Sequence, residues 1–378
     1  MSKIDEVNVR VGSLDSIVKK NWNELVEFNG NAFQKYELIK IYEETWKGDF
    51  TPFHVTVKKG ESLRSIIPGF LYRSCPRLDY YKRKIEPCIQ DKILVSHDLV
   101  GWYGQPIFFD YEYLELSINK FIETANENNA MTFFPGIDSR NKVLLQVLKE
   151  RGFEINHFHT IVARQVSPEG DPTLQLPKKK RSRVRNHIMN AKKAGLTTRF
   201  MKPEDLLYAV DMIVGILKED GVESEVLPRE MIHRLLNSHL EDIHIIMALD
   251  EFDIPIGVKV FVKNGNVLFG WLSGHDRSKL NKYRQSHFLY EEGIHLAMRL
   301  GCKEIQAGRS PYEVKLTHGY EPVAIFSAIK GSTNEQHLRA TNWMNALQVR
   351  HRKANYERFH ESYWSTSWGL FNEKSDNS

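Results

Sequence analysis

Between Ala307 and Pro322 the chain reads Ala-Gly-Arg-Ser-Pro-Tyr-Glu-Val-Lys-Leu-Thr-His-Gly-Tyr-Glu-Pro, which gathers Arg309, Glu313, Lys315 and His318 within ten residues. A connection that only closes a fold uses Gly, Asn and Ser, whereas titratable side chains on a loop held by rigid elements point to chemistry. The Arg309 guanidinium can grip a phosphate or carboxylate through two parallel hydrogen bonds, and it also stands four residues before Glu313, the spacing of a helical ion pair. Glu313 can take a proton from an incoming ammonium or, paired with Arg309, stay ionised. Tyr312 and Tyr283 can orient a substrate through their hydroxyls or pack at the edge of a core.

A second group of candidates surrounds this one. His275-Asp276-Arg277 follows the strand ending Trp271-Leu272-Ser273, and Arg277, Lys279, Lys282 and Arg284 could hold a pyrophosphate by charge. Trp102-Tyr103 begins a loop placed to line an acceptor cleft between domains. Lys178, Lys179, Lys180, Arg181, Arg183, Arg185, Lys192 and Lys193 form a run without an acidic residue. In that run Val184, Ile188 and Ala191 recur at helical spacing, with Pro177 before and Gly195 after, so it reads as an amphipathic helix with a basic outer face. Such a face touches phosphates or is simply solvated. His157 and His159 share one face of a strand but lack a third ligand, so packing is the expected role and no metal is expected.

These side chains need elements to hold them. In the C-terminal half the pattern predicts strands at Leu196–Phe200, His244–Leu249, Ile256–Val262, Val267–Leu272, Lys303–Ala307 and Val323–Ile329. Helices are predicted at Glu204–Lys218, Pro228–Leu240 and Gln285–Leu300. The N-terminal half repeats much of that order. Strands are read at Val7–Val11, Phe53–Val57, Leu63–Tyr72, Met131–Phe134 and Phe153–Val162, and helices at Phe33–Trp46, Tyr111–Asn128 and Val143–Arg151. A duplicated α/β (α+β) unit accounts for this order, with residues 1–165 as one domain, 166–177 as a linker of turn formers, 178–332 as the second domain and 333–378 as a helical tail.

The chain has 378 residues, 41% hydrophobic and 26% charged, enough for two cores, and a net charge of +4 that does not by itself call for nucleic acid. Cys75, Cys88 and Cys302 form no CxxC pair and are odd in number, so they read as reduced thiols. The polar start Met1-Ser2-Lys3-Ile4-Asp5 and the absence of an apolar run of roughly 18 to 20 residues give a cytoplasmic expectation with no transmembrane segment.

The element order, the Leu-Pro-Lys-Lys-Lys-Arg run opening a basic helix, and the spacing of Gly308, Lys315 and Gly319 resemble the Fem-type branch of the GNAT acyltransferase superfamily, over about Val7 to Lys330. That branch includes peptidoglycan aminoacyltransferases. The resemblance implies two tandem GNAT-like domains, each a mixed, mostly antiparallel sheet flanked by helices, with the active site in the second. It implies an N-acyltransferase that moves an acyl or aminoacyl group from an activated ester or thioester to an amine. Lys315 falls where the family carries a lysine for charge at the donor ester, and His318-Gly319-Tyr320 departs from the family's Phe-Gly pair. The glycine-rich pyrophosphate loop of coenzyme A-dependent relatives is missing from Gly274–Ser286. With the basic helix, this favours aminoacyl-tRNA as donor, no tightly bound cofactor, and a peptidoglycan precursor or small metabolite as the amine. Acyl-CoA as donor, or a non-catalytic binding protein on the same scaffold, are the alternatives.

Overall fold

The computed structural model describes residues 7–46, 48, 50–72, 89–96, 101, 103–167, 169–221, 227–238, 240–309 and 311–369; Cys75, Cys88 and Trp102 lie outside the described residues. In chain order the elements are β1 (Val7–Gly12), α1 (Lys19–Asn29), α2 (Tyr36–Thr45), β2 (Phe50–Pro52), β3 (His54–Lys59), β4 (Ser62–Ile67), β5 (Gly69–Tyr72), β6 (Ile93–Ser96) and β7 (Ile107–Phe108). Then come α3 (Tyr111–Glu127), β8 (Met131–Asp138), α4 (Lys142–Glu150), β9 (Glu154–Gln165), α5 (Lys178–Lys193), β10 (Thr197–Phe200), α6 (Leu206–Glu219) and α7 (Arg229–Leu236). The rest are β11 (Ile243–Leu249), β12 (Pro255–Asn264), β13 (Val267–His275), α8 (Leu280–Tyr283), α9 (Gln285–Arg299), β14 (Glu304–Gln306), α10 (Tyr312–Thr317), β15 (Glu321–Lys330), α11 (Asn334–Asn355) and α12 (Glu361–Gly369).

Two compact units result, one of residues 1–160 and 323–378, the other of residues 161–322. The first has an antiparallel sheet β1-β3-β4-β7 and a second sheet in the order β9-β15-β8-β6-β5-β2. Its core joins Phe121 of α3 and Leu144 and Leu148 of α4 to Phe134 of β8 and Phe326 of β15. The single strand expected over Leu63–Tyr72 is two, because Pro68 has no N–H to continue a ladder; β4 goes to one sheet and β5 to the other. The helix α1 was not foreseen, although Trp22, Leu25 and Val26 supply its buried face. Helix α11 buries Trp343, Met344 and Leu347.

In the second unit the strands run β10-β11-β12-β13-β14, followed by residues 163–165 of β9. Neighbours are antiparallel except β13 and β14. Side chains alternate across β12, and this alternation decides what each helix meets. Val258 and Val260 enter the cluster formed with Val210 and Ile213 of α6 and Ile232 and Leu236 of α7. Gly257, Lys259 and Phe261 turn instead towards α9. There the approach is so close that a Cβ on Gly293 would stand 2.5 Å from the Phe261 ring, and glycine lets helix and strand meet.

The pairing of β13 with β14 covers Val267–Phe269 against Glu304–Gln306 and then stops. β13 continues to His275, whereas the other chain turns away and bonds back to β9, Ala307 N to Val162 O at 2.8 Å and Val162 N to Gly308 O at 3.1 Å. The two strands therefore part beside Gly270, whose Cβ position lies 3.5 Å from both the Lys259 Cε and the Gln306 carbonyl oxygen. Residues 166–177 hold buried Val166, Pro172, Thr173 and Leu176, and Arg164 donates to the Pro172 carbonyl at 2.5 Å. Among the described residues no helix is long and apolar enough to cross a membrane.

Candidate active site

Helix α10 is short, and Tyr312 and Lys315, three residues apart, share its inward face while Glu313 points to solvent. The helix closes at Gly319, whose φ of +78° suits glycine and whose Cβ would stand 2.3 Å from the Leu176 side chain. Lys315 is therefore no surface lysine: it is 1% exposed, and its ammonium donates to the Arg309 carbonyl. Its Nζ lies 5.8 Å from the centre of the Tyr290 ring, and the Nζ of Lys259 lies 4.9 Å from the same centre. Among the described residues no carboxylate forms an ion pair with either lysine.

The electrostatics follow from that burial. Lys259 is brought down to about 8 by loss of water, and Lys315 falls well below the ordinary lysine range through burial, then through the charges of Lys259 and Arg309. Burial raises the Tyr290 phenol, and burial followed by the neighbouring Tyr290 raises that of Tyr320. The Tyr320 hydroxyl is buried without a hydrogen-bond partner among the described residues, and its ring centre is 6.2 Å from that of Tyr290. Two buried lysine amines and an unpaired donor thus surround one aromatic ring near the point where β13 and β14 part.

A chain of polar contacts reaches the same ring. His318 is wholly buried, with its ring centre 6.4 Å from that of Tyr290 and its Nδ1 3.1 Å from Glu291 Oε2. Its Nε2 is 3.1 Å from Nδ1 of His287, whose ring stacks on His187 of α5 at 4.0 Å. Arg164 fixes the backbone by donating to the His318 carbonyl at 2.6 Å. Burial, followed by His318, His187, Arg183 and Arg284, lowers His287 to about 3.

The residues expected from the sequence are distributed unevenly. Lys315, Tyr312 and Arg309 come together, Tyr312 buried and Arg309 half-buried. Half-buried His275 ends β13; burial, then Arg277 and Lys259, lower its pKa. Arg277 is held by Glu219 at 2.5 Å and Asp220 at 2.7 Å, Lys279 by Asp250 at 2.7 Å, and Lys282 by Glu251 at 2.5 Å. Tyr283 gives its hydroxyl to Glu251. Exposed Arg284 joins α8 to α9 in the left-handed region at φ 52°. The cations expected to grip a pyrophosphate are thus largely answered by protein carboxylates.

On α5, Lys178, Lys179, Lys180 and Arg183 are exposed and Arg181 half-buried, while Arg185 is taken by Asp171 at 2.5 Å. Tyr103 is buried in the first unit, its ring parallel to Phe33 at 6.3 Å. His157 and His159 are buried in β9, the His157 Nε2 2.7 Å from the His159 carbonyl oxygen. Sequence reasoning missed Lys259, His287, Tyr290, Glu291 and Tyr320. A lysine inside the apolar run Ile256–Val262 was the available signal for the first, since such a residue is either turned outward or buried for a reason.

Residues 178–316 match the family described as acetyltransferase (GNAT) domain. The matched residues lie within the second unit, and the chain has a mixed α/β fold like that of the solved structures it resembles. Among solved structures it is similar to FemX, at 11% identity and a TM-score of 0.59, over 82% of this chain and 96% of that one. It is also similar to L-PGS from Bacillus licheniformis, at 11% identity and a TM-score of 0.54, over 88% of this chain and 97% of that one. No curated protein matches the chain.

Proposed function

We propose that this protein is an N-acyltransferase of the Fem-like kind, joining an acyl or aminoacyl group to an amine. The observation that carries the reading is the buried pair Lys259 and Lys315 at one aromatic ring, near parting strands. Acyl transfer develops negative charge on the carbonyl oxygen and then on the leaving oxygen or sulfur. A buried ammonium with no carboxylate beside it acts strongly on such charge, because little water or counter-charge competes for it. Lys315 is the catalytic cation, Lys259 its neighbour, and the Tyr320 hydroxyl an additional donor.

The donor we favour is aminoacyl-tRNA. Exposed Lys178, Lys179, Lys180 and Arg183 offer α5 to a phosphate backbone, and His187 of the same helix touches the site. Acyl-CoA is the runner-up, weakened by the carboxylates that occupy Arg277, Lys279 and Lys282. The acceptor is an amine on a peptidoglycan precursor or a small metabolite. The test is to incubate the protein with a mixed aminoacyl-tRNA pool or acetyl-CoA and a panel of amines, and to read product masses. Amide from the tRNA pool supports the favoured donor, amide from acetyl-CoA alone replaces it, and amide from neither removes the transferase reading.

A further inference from the structure

The outward side of α11 carries a pattern that acyl transfer does not use. Its inner side buries Trp343, Met344 and Leu347 against the core. On the opposite side Leu338, Val349 and Tyr356 are 62%, 59% and 45% exposed. At 3.6 residues per turn they follow one another after about three turns and then about two, so they lie on one line along the helix. Tyr356 keeps that line because its angles, φ −54° and ψ −46°, are still helical. A single exposed apolar side chain is ordinary on a protein surface, whereas a line of them beside cations is the pattern of a helix that meets a lipid interface.

The cations are concentrated at one end of the same helix. Residues 349–358 contain Arg350, Arg352, Lys353 and Arg358 against one acid, Glu357. Arg350, Lys353 and Arg358 are exposed, and the Arg352 guanidinium lies 5.5 Å from the centre of the Tyr356 ring. Two shallow hollows meet at Val349, Lys353 and Ala354; Ala346 and Arg350 line one, Tyr356 and Arg358 the other. Each hollow thus has both apolar and cationic walls. The start of α5 is different, since no apolar residue stands among Lys178, Lys179, Lys180, Arg181 and Arg183.

We propose that the C-terminal end of α11 is a docking face for an anionic lipid surface. Arg350, Lys353 and Arg358 meet headgroup phosphates there, while Val349 and Tyr356 enter the interface. Tyrosine suits that depth, having an apolar ring and a polar hydroxyl. Nucleic acid fits this face less well, because a phosphate backbone offers charge but nothing apolar for Val349 to enter. Attachment of this kind is peripheral and reversible, each cation near anionic lipid tightening it by about 5-fold. It needs none of the catalytic groups and so stands apart from the transferase reading.

Sedimentation of the whole chain with vesicles tests it, using phosphatidylcholine alone and phosphatidylcholine with about one third phosphatidylglycerol. The protein should sediment with the anionic vesicles and stay in solution with the neutral ones, and added salt should weaken the binding. Lys353→Glu should reduce the affinity by about 10-fold or more, and Val349→Asn, which leaves the charge unaltered, by about 3-fold or more. Both side chains are exposed, so both variants should keep the wild-type thermal midpoint. Lys179→Glu on α5 should leave vesicle binding nearly unchanged. No binding to anionic vesicles, binding that Val349→Asn leaves intact, or a greater loss from Lys179→Glu than from Lys353→Glu overturns the proposal. Loss of tRNA binding from Lys353→Glu with vesicle binding unaffected also overturns it and makes this face one for nucleic acid.

Discussion

Lys315 places its Nζ 5.8 Å from the centre of the Tyr290 ring, and both side chains are almost wholly withdrawn from water. A residue kept there for stability would have a carboxylate beside it, because an unpaired buried cation costs several kcal/mol (roughly, after relaxation). Lys315→Met keeps the volume and removes the charge. We expect its thermal midpoint to equal or exceed that of wild type, as measured by calorimetry; a fall of about 3 kcal/mol in stability would make Lys315 a structural residue instead.

Lys259 gives the reaction a dependence on alkaline pH. Burial brings its ammonium down to about 8, so as pH rises through that value the cation is lost and the stabilisation it lends to the oxyanion goes with it. The rate at saturating substrate should therefore decline above about pH 8, and Lys259→Met should lower the plateau and move the decline of Lys315 to higher pH, because Lys315 no longer feels the neighbouring charge. A profile measured across this range checks both, provided acceptor ionisation is controlled by comparing two amines of different basicity.

The outer face of α5 should bind tRNA through phosphates. Charge reversal of Lys179 and Arg183 should weaken binding for every tRNA tested alike and lower the slope of log affinity against log salt by about 1 for each phosphate no longer neutralised. Arg185, already engaged by Asp171, should contribute least. Filter binding at several salt concentrations reads this, and an unchanged slope would detach the basic helix from the donor.

Acid stability depends on a different histidine. In β9, burial lowers His157 to about 4, from 6.5 in an open chain. Between those values the unfolded state holds more protons than the folded one, so stability drops as pH falls from about 6.5 to 4, by on the order of 3 kcal/mol in total. Urea unfolding at about pH 7 and about pH 5 should show the loss, and His157→Gln should flatten it.

Much of this arrangement is legible in the chain. The apolar period of α9, the strand before Ala307 and the basic α5 are local signals and lie close to where the sequence pattern puts them. Lys315 stands out through its spacing from Gly308 and Gly319. The partners are not legible, because Glu291 and His318 are 27 residues apart in sequence and meet only when α9 packs against the end of α10. The same holds for Arg277, which is available for an anion in the open chain until folding brings Glu219 and Asp220 to it. His318 departs from the family's pattern, and its contact with Glu291 gives that departure a physical meaning.

The most direct test of the central claim is the mass of the amide product from wild type and from Lys315→Met, with the aminoacyl-tRNA pool and with acetyl-CoA. Wild type should form an amide, and the folded variant should form it about 10² to 10³ times more slowly, as expected when one oxyanion-stabilising group is removed. An equal rate from the folded variant, or no amide from wild type with either donor, would contradict the account.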